Sequence, residues 1–257
     1  VISLLTFNVL QLPLRGSARR ASLALQVIRD ADADIVVLNE AFNRHSRALI
    51  SQLTGYSVTA AAGGTGRRGY LSRMVGSGIH VLSRLPILES YAHTYEAYQP
   101  LTTDALSDKG VALLSFDVPG GLWLAATHLQ ADERGHRHGV RLVQLAELRA
   151  LVSAKAPADQ PVLIAGDLNT EPADRRSANA AIDGRIEPSG RLHAATYDGR
   201  NPLTGRRYAA YAEVLDYVGY LDETGRRPHP KISTETLVFP PGREASDHYP
   251  VLARITV

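Results

Sequence analysis

Two short runs built wholly of apolar residues, Ile35-Val36-Val37-Leu38 and, behind Pro161, Val162-Leu163-Ile164-Ala165, restrict the architectures open to this chain more than any other feature. A strand with one wet face alternates apolar and polar side chains. A run that is apolar at every position reads as a central strand covered on both faces, and that requires further layers. Other strands are expected at Ile2 to Phe7, Gly78 to Ser83, Val111 to Val118 and Leu122 to Thr127, with candidates at Leu215 to Val218, Thr236 to Phe239 and Val251 to Val257. Helical spacing of Leu23, Leu25, Val27 and Ile28 predicts a helix capped by Ser17. A second is expected from Ser46 to Leu53, and a third from Gly139 to Ala154 with Leu145, Leu148 and Val152 on its inner face. Gly63 to Gly69 and Tyr91 to Lys109 read as loops. Strands and helices mix without strict alternation, which predicts a layered α/β domain with mixed sheets. No linker-like break or internal repeat interrupts residues 1–257, so one domain is expected.

Composition narrows the function classes. Lys and Arg number 28 against 26 Asp and Glu, a formal charge of +2, which argues against a polyanion binder driven by bulk charge while leaving room for a local basic groove. The absence of Cys excludes disulfides, zinc thiolate sites and thiol nucleophiles. No apolar run approaches the ~20 residues needed to span a bilayer. The chain opens directly on the strand-like Val1 to Leu5, without signal-peptide features, and leaves open whether a leader precedes it.

What stands at the strand ends carries the chemistry. Asn8, Glu40, His128, Asp167 with Asn169, Asp216, and Asp247 with His248 each follow or interrupt an apolar run. One Asn or Asp after a strand is usually a turn former or helix cap, and a lone His is commonly a satisfied structural residue. Six strand ends carrying carboxylate, carboxamide or imidazole groups are hard to explain as turns alone. The set has the parts of a metal-assisted phosphoester hydrolase. Glu40 is a hard carboxylate, and carboxylate, carboxamide and water suit Mg²⁺ rather than zinc. Two His residues far apart in sequence suit acid and base roles, and Asn side chains donate to phosphate oxygens as charge develops. No GxSxG elbow, Walker loop, HExxH or CxxC is present to support a competing chemistry.

Thr6-Phe7-Asn8, Asn39-Glu40, Gly78 to Arg84, Thr127-His128, Gly166-Asp167-Leu168-Asn169 and Ser246-Asp247-His248 resemble, in order and across essentially the whole chain, the endonuclease/exonuclease/phosphatase superfamily. Within it the sequence is most similar to the bacterial neutral sphingomyelinases. The discriminating strings are Asp104-Ala105-Leu106-Ser107-Asp108-Lys109-Gly110, Thr127 to Ala131, Ala195-Thr196-Tyr197-Asp198 with Asn201, and Leu215-Asp216-Tyr217. The resemblance implies a four-layered α/β sandwich of two packed mixed β-sheets flanked by helices, with the site at the mouth between the sheets. It implies that Glu40, helped by Asn8, holds a catalytic Mg²⁺, with Mn²⁺ or Co²⁺ able to substitute. It makes His248 the general base, oriented by Asp216, and His128 either the general acid or a stabiliser of the phosphorane. Asp167 and Asn169 would position the nucleophile and a phosphate oxygen, Asp104 and Lys109 would pair to support the site, and Asp247 would face the metal-bound water. The implied activity is hydrolysis of sphingomyelin or a related phospholipid, by a secreted monomer in peripheral contact with a membrane surface and with no nucleic acid partner.

The sequence departs from the family in places. Arg44 stands where a secondary metal site expects Asn, with Asn43 one place early, so a second edge metal is not expected. Tyr220 to Ile232 lies where relatives carry an aromatic-tipped hairpin, and here it is short, basic and polar. It reads as a solvated turn, with contact to anionic lipid heads through Arg226, Arg227 and Lys231 as the functional alternative. Arg67 and Arg68 read as surface charges. Tyr91, Tyr95 and Tyr98 are candidate walls of a choline pocket. A nuclease of the same fold and a non-catalytic lipid-binding protein are the alternative functions.

Overall fold

The computed structural model describes residues 1–12, 15–60, 76–133, 135–188, 194–205, 208–222 and 224–257, so Arg67 and Arg68 lie outside the described residues. In chain order the first half comprises β1 (Ile2–Gln11), α1 (Ala18–Ala31), β2 (Ile35–Ala41), α2 (Arg44–Ser51), β3 (Ser57–Ala60), β4 (His80–Ser83), β5 (Ile87–Thr94), β6 (Gly110–Phe116) and β7 (Leu122–His128). There follow α3 (His138–Lys155), β8 (Val162–Asp167), α4 (Arg175–Ile182), β9 (Gly184–Arg185), β10 (Tyr197–Asp198), β11 (Ala212–Glu213), β12 (Asp216–Leu221), β13 (Lys231–Thr236) and β14 (Val251–Thr256).

Two six-stranded sheets run β13-β14-β1-β2-β4-β3 and β5-β6-β7-β8-β12-β9. Each contains one parallel pair, β1 with β2 and β7 with β8, joined by a helix that crosses over the outer face of its sheet. The wholly apolar runs are thereby explained: β2 and β8 are interior strands whose two faces enter two different cores. Ile35 and Val37 meet Leu124, Ala126, Leu163 and Ala165 between the sheets, whereas Val36 and Leu38 pack with Ala24, Leu25 and Ile28 of α1. On the far side Val162 and Ile164 pack with Leu145, Leu148 and Val152 of α3 and with Ala178 and Ile182 of α4. Three cores between four layers make a helix, sheet, sheet, helix sandwich, as the resemblance implied. Burying each such Leu, Ile or Val stabilises the fold by roughly 1.5–3 kcal/mol relative to leaving it exposed.

The Ser17 cap forms, its side chain accepting from the Arg20 amide at 3.2 Å. Asn43 caps α2, accepting from His45 and Ser46 at 2.8 and 3.1 Å, while its amide nitrogen donates to Gln11 and Leu12. Both ends of the Asn43 amide are thus spent on structure.

Four expectations need correction. Tyr91 lies not in a loop but in β5, which pairs with β6 over residues 87–94; as the edge strand of its sheet it is half-wet and reads as polar. The strand expected at Thr236 to Phe239 is instead β13, ending at Thr236, again an edge strand with exposed and half-buried residues alternating. Arg227 is not a surface charge. It is 3% exposed, and its guanidinium donates to Ala156, Pro157 and Gln160 carbonyls at 3.2, 2.5 and 3.1 Å, closing the end of α3. Tyr91 and Tyr95 do not share a pocket wall: Tyr91 stacks on Trp123, whereas Tyr95 is buried with its hydroxyl 2.6 Å from Thr127 Oγ1. Among the described residues no helix is long and apolar enough to cross a membrane.

Candidate active site

Strand register assembles the site. His128 ends β7 directly opposite Asp167 at the end of β8, and Asp167 stands opposite Asp216 at the start of the antiparallel β12. Side chains two apart on a strand share a face. Ala126, Ala165 and Val218 lie in the core between the sheets, so the row His128, Asp167, Asp216 continues that face to its rim. In the first sheet Asn8 and Asn39 stand opposite each other and continue the faces of Leu4 and of Ile35 and Val37. Glu40 is the exception. Alternation would send it with Val36 and Leu38 toward α1, but the pairing of β1 with β2 shifts register after Asn8, and Leu10 and Glu40 adopt positive φ of 46° and 56°. Such irregularities re-aim side chains, and backbone held in the left-handed region at a non-glycine residue clusters at functional sites.

The sheets are tied together at this rim by Asn39, which is fully buried. Its amide donates to Thr127 O at 3.1 Å and accepts from the Asp167 amide at 3.0 Å. Gly166 permits the close approach of β7 and β8, since a Cβ there would fall 1.8 Å from Thr127 O.

His248 reaches the row from the segment before β14. Its Nδ1 lies 2.8 Å from Asp216 Oδ2 and its Nε2 3.7 Å from Asp167 Oδ2. That same Asp167 oxygen accepts from Asn8 at 3.0 Å and lies 3.5 Å from His128 Nε2. Thr196 sets the pair: its hydroxyl accepts from the Leu215 and Asp216 amides at 2.9 and 3.1 Å, and its carbonyl accepts from Tyr249. Lys109, 5% exposed, lies 2.9 Å from His128 Nε2, donates to Leu129 O at 2.7 Å and pairs with Asp104 at 3.1 Å. Asp104 also accepts from Gln130 and the Ala131 amide at 3.0 and 2.7 Å. Asn169, with φ of 45°, donates to Leu129 O, and its amide nitrogen to Asp167 Oδ1, both at 3.0 Å. The structure therefore brings Asn8, Asp104, Lys109, His128, Asp167, Asn169, Asp216 and His248 into one network.

Burial and mutual charge set the protonation states. Burial drags the His248 imidazolium down, but the Asp216, Asp167 and Asp247 carboxylates outweigh it and raise its pKa well above the usual range. Burial, reinforced by the Lys109 ammonium, lowers His128 to about 4. Asp167 stays low: its burial is overcome by His248, His128, Lys109 and the Asn8 hydrogen bond. Burial raises Asp216 to about 6 against the pull of His248. Glu40 rises to about 7, first by burial and then by the neighbouring Asp247 carboxylate, whose own pKa burial also raises. Oε2 of Glu40 is buried and has no hydrogen-bond partner. A buried carboxylate oxygen left bare beside a second carboxylate fits a divalent cation with oxygen ligands. Ligand atoms of Asp167, Asp216 and His248 also fall within 4.8 Å of one another, but the 2.8 Å bond commits His248 Nδ1 to Asp216 rather than to an ion.

Asn39 and Thr196 carry no role that the sequence alone assigns. Their signal was present, in the strings Asn39-Glu40 and Ala195-Thr196-Tyr197-Asp198, but their function depends on which backbone groups the register brings beside them.

A model of the Endonuclease/Exonuclease/phosphatase family matches residues 5–248. Sphingomyelinase C of Leptospira interrogans is 28% identical over 190 residues, 65% of this chain and 34% of that protein. Sphingomyelinase C of Listeria ivanovii is 26% identical over 274 aligned positions, 92% of this chain and 79% of that protein. The chain thus spans about a third of the first relative's length and about four-fifths of the second's. Among solved structures, a mutant of beta toxin from Staphylococcus aureus with bound magnesium ions superposes with a TM-score of 0.82 at 23% identity, over 98% of each chain, which shows the fold.

Proposed function

This chain belongs to the Endonuclease/Exonuclease/phosphatase family, and on that premise we propose that it hydrolyses the phosphodiester of sphingomyelin or a closely related phospholipid, releasing the phosphorylated headgroup. The observation that carries the reading is the pair of imidazoles facing one buried carboxylate oxygen, His248 and His128 at 3.7 and 3.5 Å from Asp167 Oδ2, each backed by its own charged partner.

The residues divide the work. Asp216 holds His248 by Nδ1, and the imidazole Nε2 would take a proton from the attacking water, which Asp167 and Asn169 orient, once the charge of a bound cation offsets the carboxylates that raise the ring's pKa. His128, lowered to about 4, is neutral at ordinary pH. Lys109 is a donor only, so the His128 nitrogen it touches is the acceptor and the ring proton sits on Nδ1. That atom is buried without a hydrogen-bond partner. A ring that is neutral at ordinary pH, with its proton on the buried nitrogen, favours His128 as a stabilising group beside the phosphorane over proton donation to the leaving oxygen. Glu40 and Asn8 would hold Mg²⁺, whose chemistry when bound is to offset the Glu40 and Asp247 carboxylates and polarise a phosphate oxygen. Asp104 holds Lys109, which in turn donates to His128 Nε2.

Similarity to two sphingomyelinases C and the Asp104 to Lys109 string support a lipid rather than a nucleic acid substrate. We place the membrane contact on the loop that carries Asp104, where Leu101 is 86% and Leu106 40% exposed. Export from the cell and action as a monomer belong to the same reading. The test is product analysis over a panel of phosphodiester lipids, with and without Mg²⁺, beside a plasmid-nicking assay. Release of phosphocholine that chelation abolishes supports the proposal. Nicking without lipid cleavage would replace it with the nuclease reading, and vesicle binding without any cleavage would replace it with the lipid-binding one.

A further inference from the structure

Outside the catalytic network a second cluster of ligating side chains stands at the start of α3. Oδ2 of Asp174 lies 3.1 Å from His136 Nε2 and 3.3 Å from His138 Nδ1, and the three ligand atoms fall within 4.8 Å of one another. The remaining ring nitrogens are already engaged. His136 Nδ1 is 3.0 Å from Asp132 Oδ2, and His138 Nε2 is 2.7 Å from Ser177 Oγ. The rings stack with centroids 5.7 Å apart. His138 Nδ1, by contrast, is buried and makes no hydrogen bond. An imidazole anchored through one nitrogen on an oxygen, with the other directed at a shared point, is the arrangement in which histidine holds a metal.

We infer that His136, His138 and Asp174 form a site for a first-row divalent cation of the zinc type, separate from the catalytic centre. Two imidazoles and one carboxylate favour such an ion over Mg²⁺, which prefers oxygen alone. Charge agrees. Arg141, fully buried, holds Asp132 at 2.6 Å and reaches Asp174 at 3.4 Å. One guanidinium against two carboxylates leaves an excess of negative charge beside the rings. The His136 side chain is 54% exposed and provides an entry path. The donors come from the segments that follow β7 and β8, the strands that end in His128 and Asp167, so a bound ion clamps together the two loops leaving the active site.

The test is zinc titration of the full chain against a chromogenic chelator, followed by Co²⁺ loading read by visible absorption. One equivalent of Zn²⁺ is expected to remain in a Glu40→Gln, His248→Ala double variant, which locates it away from the catalytic centre. His136→Ala, a change at a half-exposed side chain checked for folding by circular dichroism, is expected to abolish it. Asp132→Asn is expected to weaken it by about 10–100-fold. At a hundredfold excess over its dissociation constant zinc raises the thermal midpoint by about 5 °C or more in that double variant and not when His136→Ala is added to it. Equal zinc affinity in His136→Ala and the unmutated chain, or zinc bound no more tightly than Mg²⁺, overturns the inference.

Discussion

Asp247 and His248 are neighbours in sequence and serve different partners in space. The imidazole bonds to Asp216, 32 residues away, at 2.8 Å, while Asp247 acts on Glu40, where it is the first charge after burial in raising that carboxyl. Adjacency in the Ser-Asp-His string therefore misleads, and the distant Leu-Asp-Tyr string supplies the orienting group. Asp216→Asn keeps the shape but removes the charge that fixes the ring and favours its protonated form during proton transfer. Its kcat is expected to fall about 10²-fold or more, with the cation-induced rise in thermal midpoint unchanged. Glu40→Gln is expected to reverse the pattern, losing that rise together with turnover. Steady-state kinetics paired with melting curves separate the two, and a loss of cation stabilisation in Asp216→Asn would put Asp216 among the metal ligands instead.

At the scale of elements, Asn39 shows what a strand end adds beyond its own side chain. It joins the carbonyl after β7's last core residues to the amide of Asp167, and so holds β2 against both β7 and β8. Asn39→Ala leaves a buried carbonyl and a buried amide without partners, at about 1–3 kcal/mol each. A loss of about 2–6 kcal/mol is expected from urea unfolding, with turnover lowered as well. Arg227→Ala is expected to cost about 2–3 kcal/mol by stripping the carbonyls at the end of α3, and to leave vesicle binding unchanged. Leu101→Ser is expected to do the opposite, lowering the sedimented fraction while stability holds. Interior strands were legible because burial on both faces forces continuous apolar runs, as in β2 and β8. Edge strands β5 and β13 were not, because one wet face gives them the composition of loops. The strand-end residues were legible by chemical type alone. Thr196 and Asn39 were not, because a side chain that serves backbone groups has no signature until register says which groups it meets. Arg227 was misread for a related reason: charge in a short basic turn looks solvated until α3 is seen to end beside it.

The whole molecule presses two sheets together and concentrates carboxylates at one end of the seam, and its stability should carry the mark of that. Glu40 and Asp216 are raised to about 7 and about 6, and Asp247 is also raised, each chiefly by burial. A carboxyl whose folded pKa exceeds its unfolded value of ~4 binds more protons folded than unfolded, so it lowers stability as pH climbs from about 4 to 7. His248, raised well above 6.5, adds stability that is complete below its unfolded pKa and is lost as pH rises through the folded one. His128, lowered to about 4, opposes them only between about 4 and 6.5. The metal-free protein is therefore expected to lose stability from about pH 6 to pH 8. A cation held by Glu40 competes with the proton on that carboxyl, so its affinity grows about tenfold per unit of pH below about 7 and levels off above it. The difference between melting points with and without Mg²⁺ should thus widen from pH 5.5 to pH 7.5 and then flatten, and Glu40→Gln should abolish the widening. A cation-induced shift that is the same at every pH, or that survives Glu40→Gln, would move the cation away from Glu40 and with it the account of why these acidic groups are buried together at the mouth of the sandwich.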